Sequence, residues 1–193
     1  NTFFSIDGGQ TFTISGHWVG GPNNCNSSYL HADQHVFEYN PHNKLLFVGN
    51  DGGVFYKKAE SENWVVLSDG MAISQIYKIG STNAEERLIM NGYQDNGSAL
   101  LNDTTWAVAM GGDGMECAID YRDQNFMYGS IYYGSISRST DYGYSFQPIA
   151  NNGRNGINES GDWVTPYGLH SLDPNKMFIG YKNLWRSDNV KNG

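Results

Sequence analysis

The residues whose types and spacing could do chemistry are aspartates and histidines gathered in a few glycine-bounded turns. Asp33 and Asp113 stand 80 residues apart, each just before an apolar, strand-like run, and Gly49 and Gly129 match at the same offset. Two carboxylates at equivalent strand entrances suit paired acid/base work. One acid would protonate a leaving oxygen while the other activates water or attacks. They suit ligand binding as well, and an Asp in this position also caps turns by accepting backbone N–H groups.

The segment His31-Ala32-Asp33-Gln34-His35 places three polar side chains at alternate positions. In an extended strand these share one face, and two imidazoles with a carboxylate are transition-metal ligands. No fourth ligand is identifiable, so no metal and no cofactor is assigned, and His31 and His35 read as ligand-binding residues. Asp51 in Gly49-Asn50-Asp51-Gly52-Gly53 and Asp95 in Gly92-Tyr93-Gln94-Asp95-Asn96-Gly97 follow apolar runs in the same way. Flanking glycines let a backbone approach a ligand closely. The candidate site is therefore His31, Asp33, His35, Asp51, Asp95 and Asp113, with Asp33 and Asp113 as the candidate catalytic acids.

These turns must be held by strands. Apolar runs ending in glycine recur at Gly49, Gly92, Gly129 and Gly180, with spacings of 43, 37 and 51 residues. Periods of about 40–50 residues, each with four short strands, mark propeller blades. The pattern predicts blades over about 31–70, 71–112, 113–152 and 153–193, preceded by a partial blade over 1–30. In the partial blade only an outer strand, residues 11–14, is expected. The expected fold class is all-β: a β-propeller segment of four-stranded antiparallel blades, continuing into further blades of the same or a longer chain. In such a fold Asp33, His35 and Asp113 are expected to line one cavity near the propeller axis. Trp64, Trp106, Phe146 and Trp185 read as core or inter-blade rings, while Tyr93, Tyr132, Tyr133, Trp163 and Tyr167 sit in or near loops and suit stacking against a sugar.

A turn motif, Ser-x-Asp-x-Gly-x-(Thr/Ser)-Phe, occurs twice. It runs from Ser5 through Asp7 and Gly9 to Phe12, and again from Ser139 through Asp141 and Gly143 to Phe146. A third copy begins at Arg186-Ser187-Asp188. The Asp carboxylate suits a tight hairpin, and the closing aromatic has the size to enter a core. The motif resembles the Asp-box (BNR) repeat of sialidase-like and sortilin-like β-propellers. The wording around residues 31–54 and 94–114 is similar to that of bacterial exported BNR-repeat proteins, some described as glycosyl hydrolases. The resemblance implies a secreted or cell-surface bacterial protein. Sialidases of this superfamily need three arginines to clamp a carboxylate, whereas the arginines here fall at turns or beside the Asp boxes. Xyloglucanase-like members use two aspartates across a cleft between propellers, and no aspartate here matches a catalytic motif of theirs residue by residue.

The chain carries a net charge of −8, which argues against a nucleic-acid partner. Charged residues are 17% and aromatics 14%, with 24 glycines, a balance that suits short strands and tight turns over helices or disorder. No apolar run reaches the length of a membrane-spanning helix. Cys25 and Cys117 are the only cysteines, and their pairing is open. Phosphate-binding glycine loops, Gly-x-Ser-x-Gly elbows and zinc-type Cys/His spacings are absent. The expected function is a scaffold that binds a carbohydrate or protein ligand. A glycoside hydrolase with paired carboxylates, or a structural segment of a large surface adhesin or secretion-system cargo, are the alternatives.

Overall fold

The computed structural model describes residues 1–19, 28–58, 60–71 and 73–192. The chain is all-β. Its strands form two compact units, Asn1–Ile73 and Ser74–Gly193.

In the first unit, β1 (Thr2–Phe4) pairs with β2 (Thr13–Gly16), so the outer strand expected alone has a partner. Blade 1 follows as an antiparallel meander of β3 (Gln34–Asn40), β4 (Leu45–Asn50), β5 (Gly53–Lys58) and β6 (Val65–Val66). Its core is Leu30, Val48, Phe55 and Trp64, brought together because alternate strand residues share a face. The Trp64 indole donates to the Ser15 carbonyl at 3.0 Å and its backbone N–H to Ser28 Oγ at 2.7 Å, which ties β2 to blade 1.

The second unit holds three further blades. Blade 2 is β7 (Ile76–Ser81), β8 (Leu88–Tyr93), β9 (Gly97–Asn102) and β10 (Thr105–Met110). Blade 3 is β11 (Gly114–Ile119), β12 (Met127–Ile131), β13 (Ser135–Ser139) and β14 (Gln147–Ala150). Blade 4 is β15 (Tyr167–His170), β16 (Asp173–Gly180) and β17 (Leu184–Ser187). Each sheet runs in sequence order with antiparallel neighbours, the meander of a propeller blade. Met90, Leu100, Cys117 and Met127 fill the space between blades 2 and 3, and Tyr128, Ile136, Tyr167 and Met177 that between blades 3 and 4. Blades 2 and 3 approach so closely that a Cβ on Gly92 would collide with the Met115 carbonyl, and one on Gly114 with the Gly97 carbonyl.

The two complete Ser-x-Asp turns are built alike. Ser5 Oγ donates to Asp7 Oδ1 at 2.7 Å and accepts from Gly9 N at 2.8 Å; Ser139 does the same to Asp141 and from Gly143 at the same distances. Each aspartate then takes both the N–H and the hydroxyl of the residue four places on: Thr11 at 2.9 and 2.6 Å, Ser145 at 2.9 and 2.6 Å. Gly9 and Gly143, at φ +90 and +85, hold the left-handed step that glycine adopts without steric cost. These bonds, led by the Thr11 hydroxyl, hold the Asp7 carboxyl well below the usual range, and those led by the Ser145 hydroxyl lower that of Asp141. The second turn links β13 to β14, the third and fourth strands of its blade.

At the third copy the alignment shifts by one residue from the sequence reading. Ser187 Oγ accepts from Asn189 N at 3.3 Å, as Ser5 does from Asp7, so Asn189 stands where the other turns have Asp. The turns also grip in the same way: Tyr142 N donates to the Asn125 carbonyl at 3.2 Å, and Val190 N to the Asn175 carbonyl at 2.8 Å.

Some aromatic placements differ from expectation. Phe146 packs against the core between blades 2 and 3, but Phe12 is 64% exposed, because among the described residues β1 and β2 pair only with each other. Trp64 is buried and Trp185 packs against the core of blades 3 and 4, yet Trp106 on outer strand β10 is half exposed. Cys117 is a buried thiol whose pKa is pushed up to about 12 by burial, while Cys25 and any pairing it makes lie outside the described residues.

Candidate functional site

In the first unit, residues 31–33 precede β3 instead of extending it. Asp33 sits at φ +56, which breaks the extended run, so His31, Asp33 and His35 do not share one strand face. The His31 ring lies over Gly52, where a Cβ would collide with it, and its carbonyl accepts from Gln34 Nε2 and, at 3.3 Å, from Asn50 Nδ2. His35 Nε2 meets Asp51 Oδ1 as an exposed pair, so strand β3 and the β4–β5 turn bring these two predicted residues together. Asp33 is exposed at the entrance of blade 1.

In the second unit, one edge of the blades gathers a larger group. Each first strand begins there and each second strand turns into its third. Asp113 stands just before β11, and its Oδ1 accepts from Asp95 N at 2.9 Å and Gln94 Nε2 at 3.1 Å. The same Gln94 nitrogen donates to Asp95 Oδ2 at 3.1 Å, so one amide bridges both predicted carboxylates. The turn holds this shape because Asp95 and Gly97 take left-handed backbone angles, and Gly97 N donates to the Gly112 carbonyl at 2.7 Å. Blade 2 is thus stapled to the entrance of blade 3.

Beside this pair lie Tyr132, Tyr133 and Trp163, three rings in mutual contact. Tyr132 stacks on Trp163 at 5.4 Å and 10°, and Tyr133 meets both edge-on at 5.7 and 5.5 Å. They are 37%, 53% and 37% exposed. Tyr132 reaches the backbone at Gly112, next to Asp113. Tyr133 holds φ +59, a conformation costly for a bulky residue, and its N–H and carbonyl are fixed by the Trp163 carbonyl at 3.3 Å and Gly161 N at 3.2 Å. Strain of this kind clusters at functional sites.

The rings and acids are joined. Trp163 Nε1 donates to Tyr77 Oη at 3.0 Å, and Tyr77 in turn donates to Gln94 Oε1. Sequence reasoning passed over Tyr77 and Gln94, whose only local signal is that Gln94 precedes Asp95 in a turn. Among the other candidate aromatics, Tyr93 accepts from Asn91 Nδ2 at 3.0 Å, and Tyr167 is buried with its hydroxyl on the Glu116 carbonyl at 2.7 Å. Burial raises the Tyr167 phenol well above its usual range and makes it a core residue.

No protein-family model and no curated protein matches the sequence. Among solved structures, the chain is similar to an ancestral GH74 enzyme at 14% identity and a TM-score of 0.48, over 81% of this chain and 23% of that one. It is similar to YCF48 from Cyanidioschyzon merolae at 13% identity and a TM-score of 0.45, over 86% and 53%. A third is the GH74 xyloglucanase from Xanthomonas campestris, at 12% identity and a TM-score of 0.48, over 83% and 28%. The chain therefore spans between about a quarter and about half the length of these proteins. Strand order and register, not this likeness, establish the blades. Among the described residues, no helix is long and apolar enough to cross a membrane.

Proposed function

We propose that the chain is part of a secreted or cell-surface propeller scaffold that binds a carbohydrate at the edge of blades 2–4. The observation that carries this reading is the exposed Tyr132–Tyr133–Trp163 cluster beside the Asp95–Asp113 pair. Aromatic faces suit the apolar face of a pyranose ring, and carboxylate oxygens accept its hydroxyls. Preformed polar groups around an apolar platform are the usual make-up of a small-ligand site. In the first unit, Asp33, His35 and Asp51 lie at the corresponding edge of blade 1 and are proposed as ligand contacts of that unit by itself. The shared bonding of the Ser5–Asp7 and Ser139–Asp141 turns supports reading them as Asp boxes with a structural role.

A glycan-array screen of the full chain tests this, with Trp163→Ala as the control. Glycan binding lost on removing the indole supports the reading, and binding unchanged by that substitution overturns it.

A second reading, a glycoside hydrolase, is favoured by one observation: Asp95 and Asp113 share a single amide donor and so lie close together, as paired acids require. Release of reducing ends from any array-positive polysaccharide, abolished by Asp113→Asn, would establish it. Binding without turnover leaves the scaffold.

A further inference from the structure

We infer that Gln94 is the positioning residue of this site, a hub that fixes the stacking platform relative to the acid pair. The inference rests on the carbohydrate-binding reading above. Gln94 uses all of its hydrogen-bonding groups. Its backbone N–H donates to the Gln75 carbonyl at 3.0 Å and its carbonyl accepts from Asn96 Nδ2 at 2.9 Å. Its side-chain oxygen accepts from Tyr77, and its side-chain nitrogen donates to Asp95 and Asp113 at 3.1 Å each. Through these bonds one side chain in blade 2 touches blade 3 directly and blade 4 through Tyr77.

The direction of the chain of bonds follows from its ends. An indole N–H can only donate and an ionised carboxylate can only accept. Trp163 must therefore donate to Tyr77, Tyr77 to the Gln94 oxygen, and the Gln94 nitrogen to the carboxylates. Only an amide carries an acceptor towards the rings and two donors towards the acids at this position. A glutamate of the same shape lacks the donors and would set a third carboxylate against Asp95 and Asp113. Among the described residues, the oxygen of Asp113 turned away from Gln94 carries no hydrogen bond and remains an acceptor for a ligand hydroxyl. Gln94 thereby sets the spacing between the ring that stacks on a sugar and the oxygen that reads its hydroxyls.

Gln94→Glu and Tyr77→Phe in the full chain test this through two readouts: the Trp163 indole N–H resonance, and affinity for the best-binding array glycan. We expect Gln94→Glu to shift the Trp163 resonance and speed its hydrogen exchange at least tenfold, because the hydrogen bonds of position 94 reach the indole through Tyr77. Both variants should weaken glycan binding at least tenfold with the melting temperature held within a few degrees. A Trp163 resonance unmoved by Gln94→Glu overturns the inference, as does wild-type affinity in both variants. If no glycan binds wild type, the carbohydrate reading fails on its own, while the indole resonance still decides whether Gln94 holds the platform.

Discussion

Lys191 Nζ lies 2.6 Å from Asp120 Oδ2, with the aspartate fully buried and the lysine 15% exposed. Asp120 Oδ1 accepts from Arg122 N at 2.7 Å and Asp123 N at 3.1 Å, whereas its Oδ2 has no aligned hydrogen-bond donor. The lysine therefore meets Oδ2 as an ion pair, with its ammonium also 4.7 Å from the Phe126 ring centre. This pair joins the turn after β17 to blade 3.

Removing one member of a buried pair strands the other charge, at a cost of about 3–5 kcal/mol. Lys191→Met should lower the unfolding free energy of the chain by that order in urea denaturation. A loss below about 1 kcal/mol would show that Asp120 finds other compensation.

Ser139→Ala removes a buried hydroxyl that serves Asp141 and the N–H groups of Asp141 and Gly143. The expected loss is about 1–2 kcal/mol, measured by thermal unfolding, with glycan binding unchanged. A stable variant that no longer binds would move this turn from the scaffold to the site.

Stability should also fall in acid through the two Asp turns. The carboxyls of Asp7 and Asp141 are depressed in the folded state by hydroxyl and N–H donors. Such groups contribute stability that is fully present above the unfolded carboxylate value, about pH 4, and is lost as pH falls towards the folded value. Melting temperature should accordingly be flat in this term above about pH 5 and decline below about pH 4. Asp141→Asn should make that decline shallower, and an unaltered acid slope in the variant would contradict the assignment.

Gly92→Ala places a methyl group against the Met115 carbonyl, a backbone atom that cannot rotate away. The expected cost is about 1–3 kcal/mol or more. An alanine variant as stable as wild type would mean that blades 2 and 3 part without penalty.

The blades were legible because their signals are local. Apolar runs ending at Gly49, Gly92, Gly129 and Gly180 lie in β4, β8, β12 and β16, each a second strand. The candidate site was legible only in part. Asp95 and Asp113 stood out as acids in glycine-rich turns, but the partners of Gln94 lie at Tyr77 and Asp113, and that of Tyr77 at Trp163, 86 residues away. No spacing rule reports a bond between side chains on three different blades. Phe12 and Trp106 misled for a related reason: an aromatic next to or within a strand reads as core, whereas its burial depends on which strands flank it.

The turns that follow the third strands carry a consequence for how the second unit comes apart. Tyr142 bonds within blade 3 through its N–H and reaches Glu85 in blade 2 through its hydroxyl, at 2.6 Å. One blade on, the Val190 N–H bonds within blade 4, while its carbonyl takes Arg138 of blade 3 at 2.6 Å and Lys191 takes Asp120. Both of these turns are thus shared between their own repeat and the one before. In a linear array whose stability is a sum of repeat and nearest-neighbour terms, strong neighbour terms suppress states with one repeat melted. Blades 2, 3 and 4 should open as a single cooperative block, and their slowest-exchanging amides should share one opening free energy.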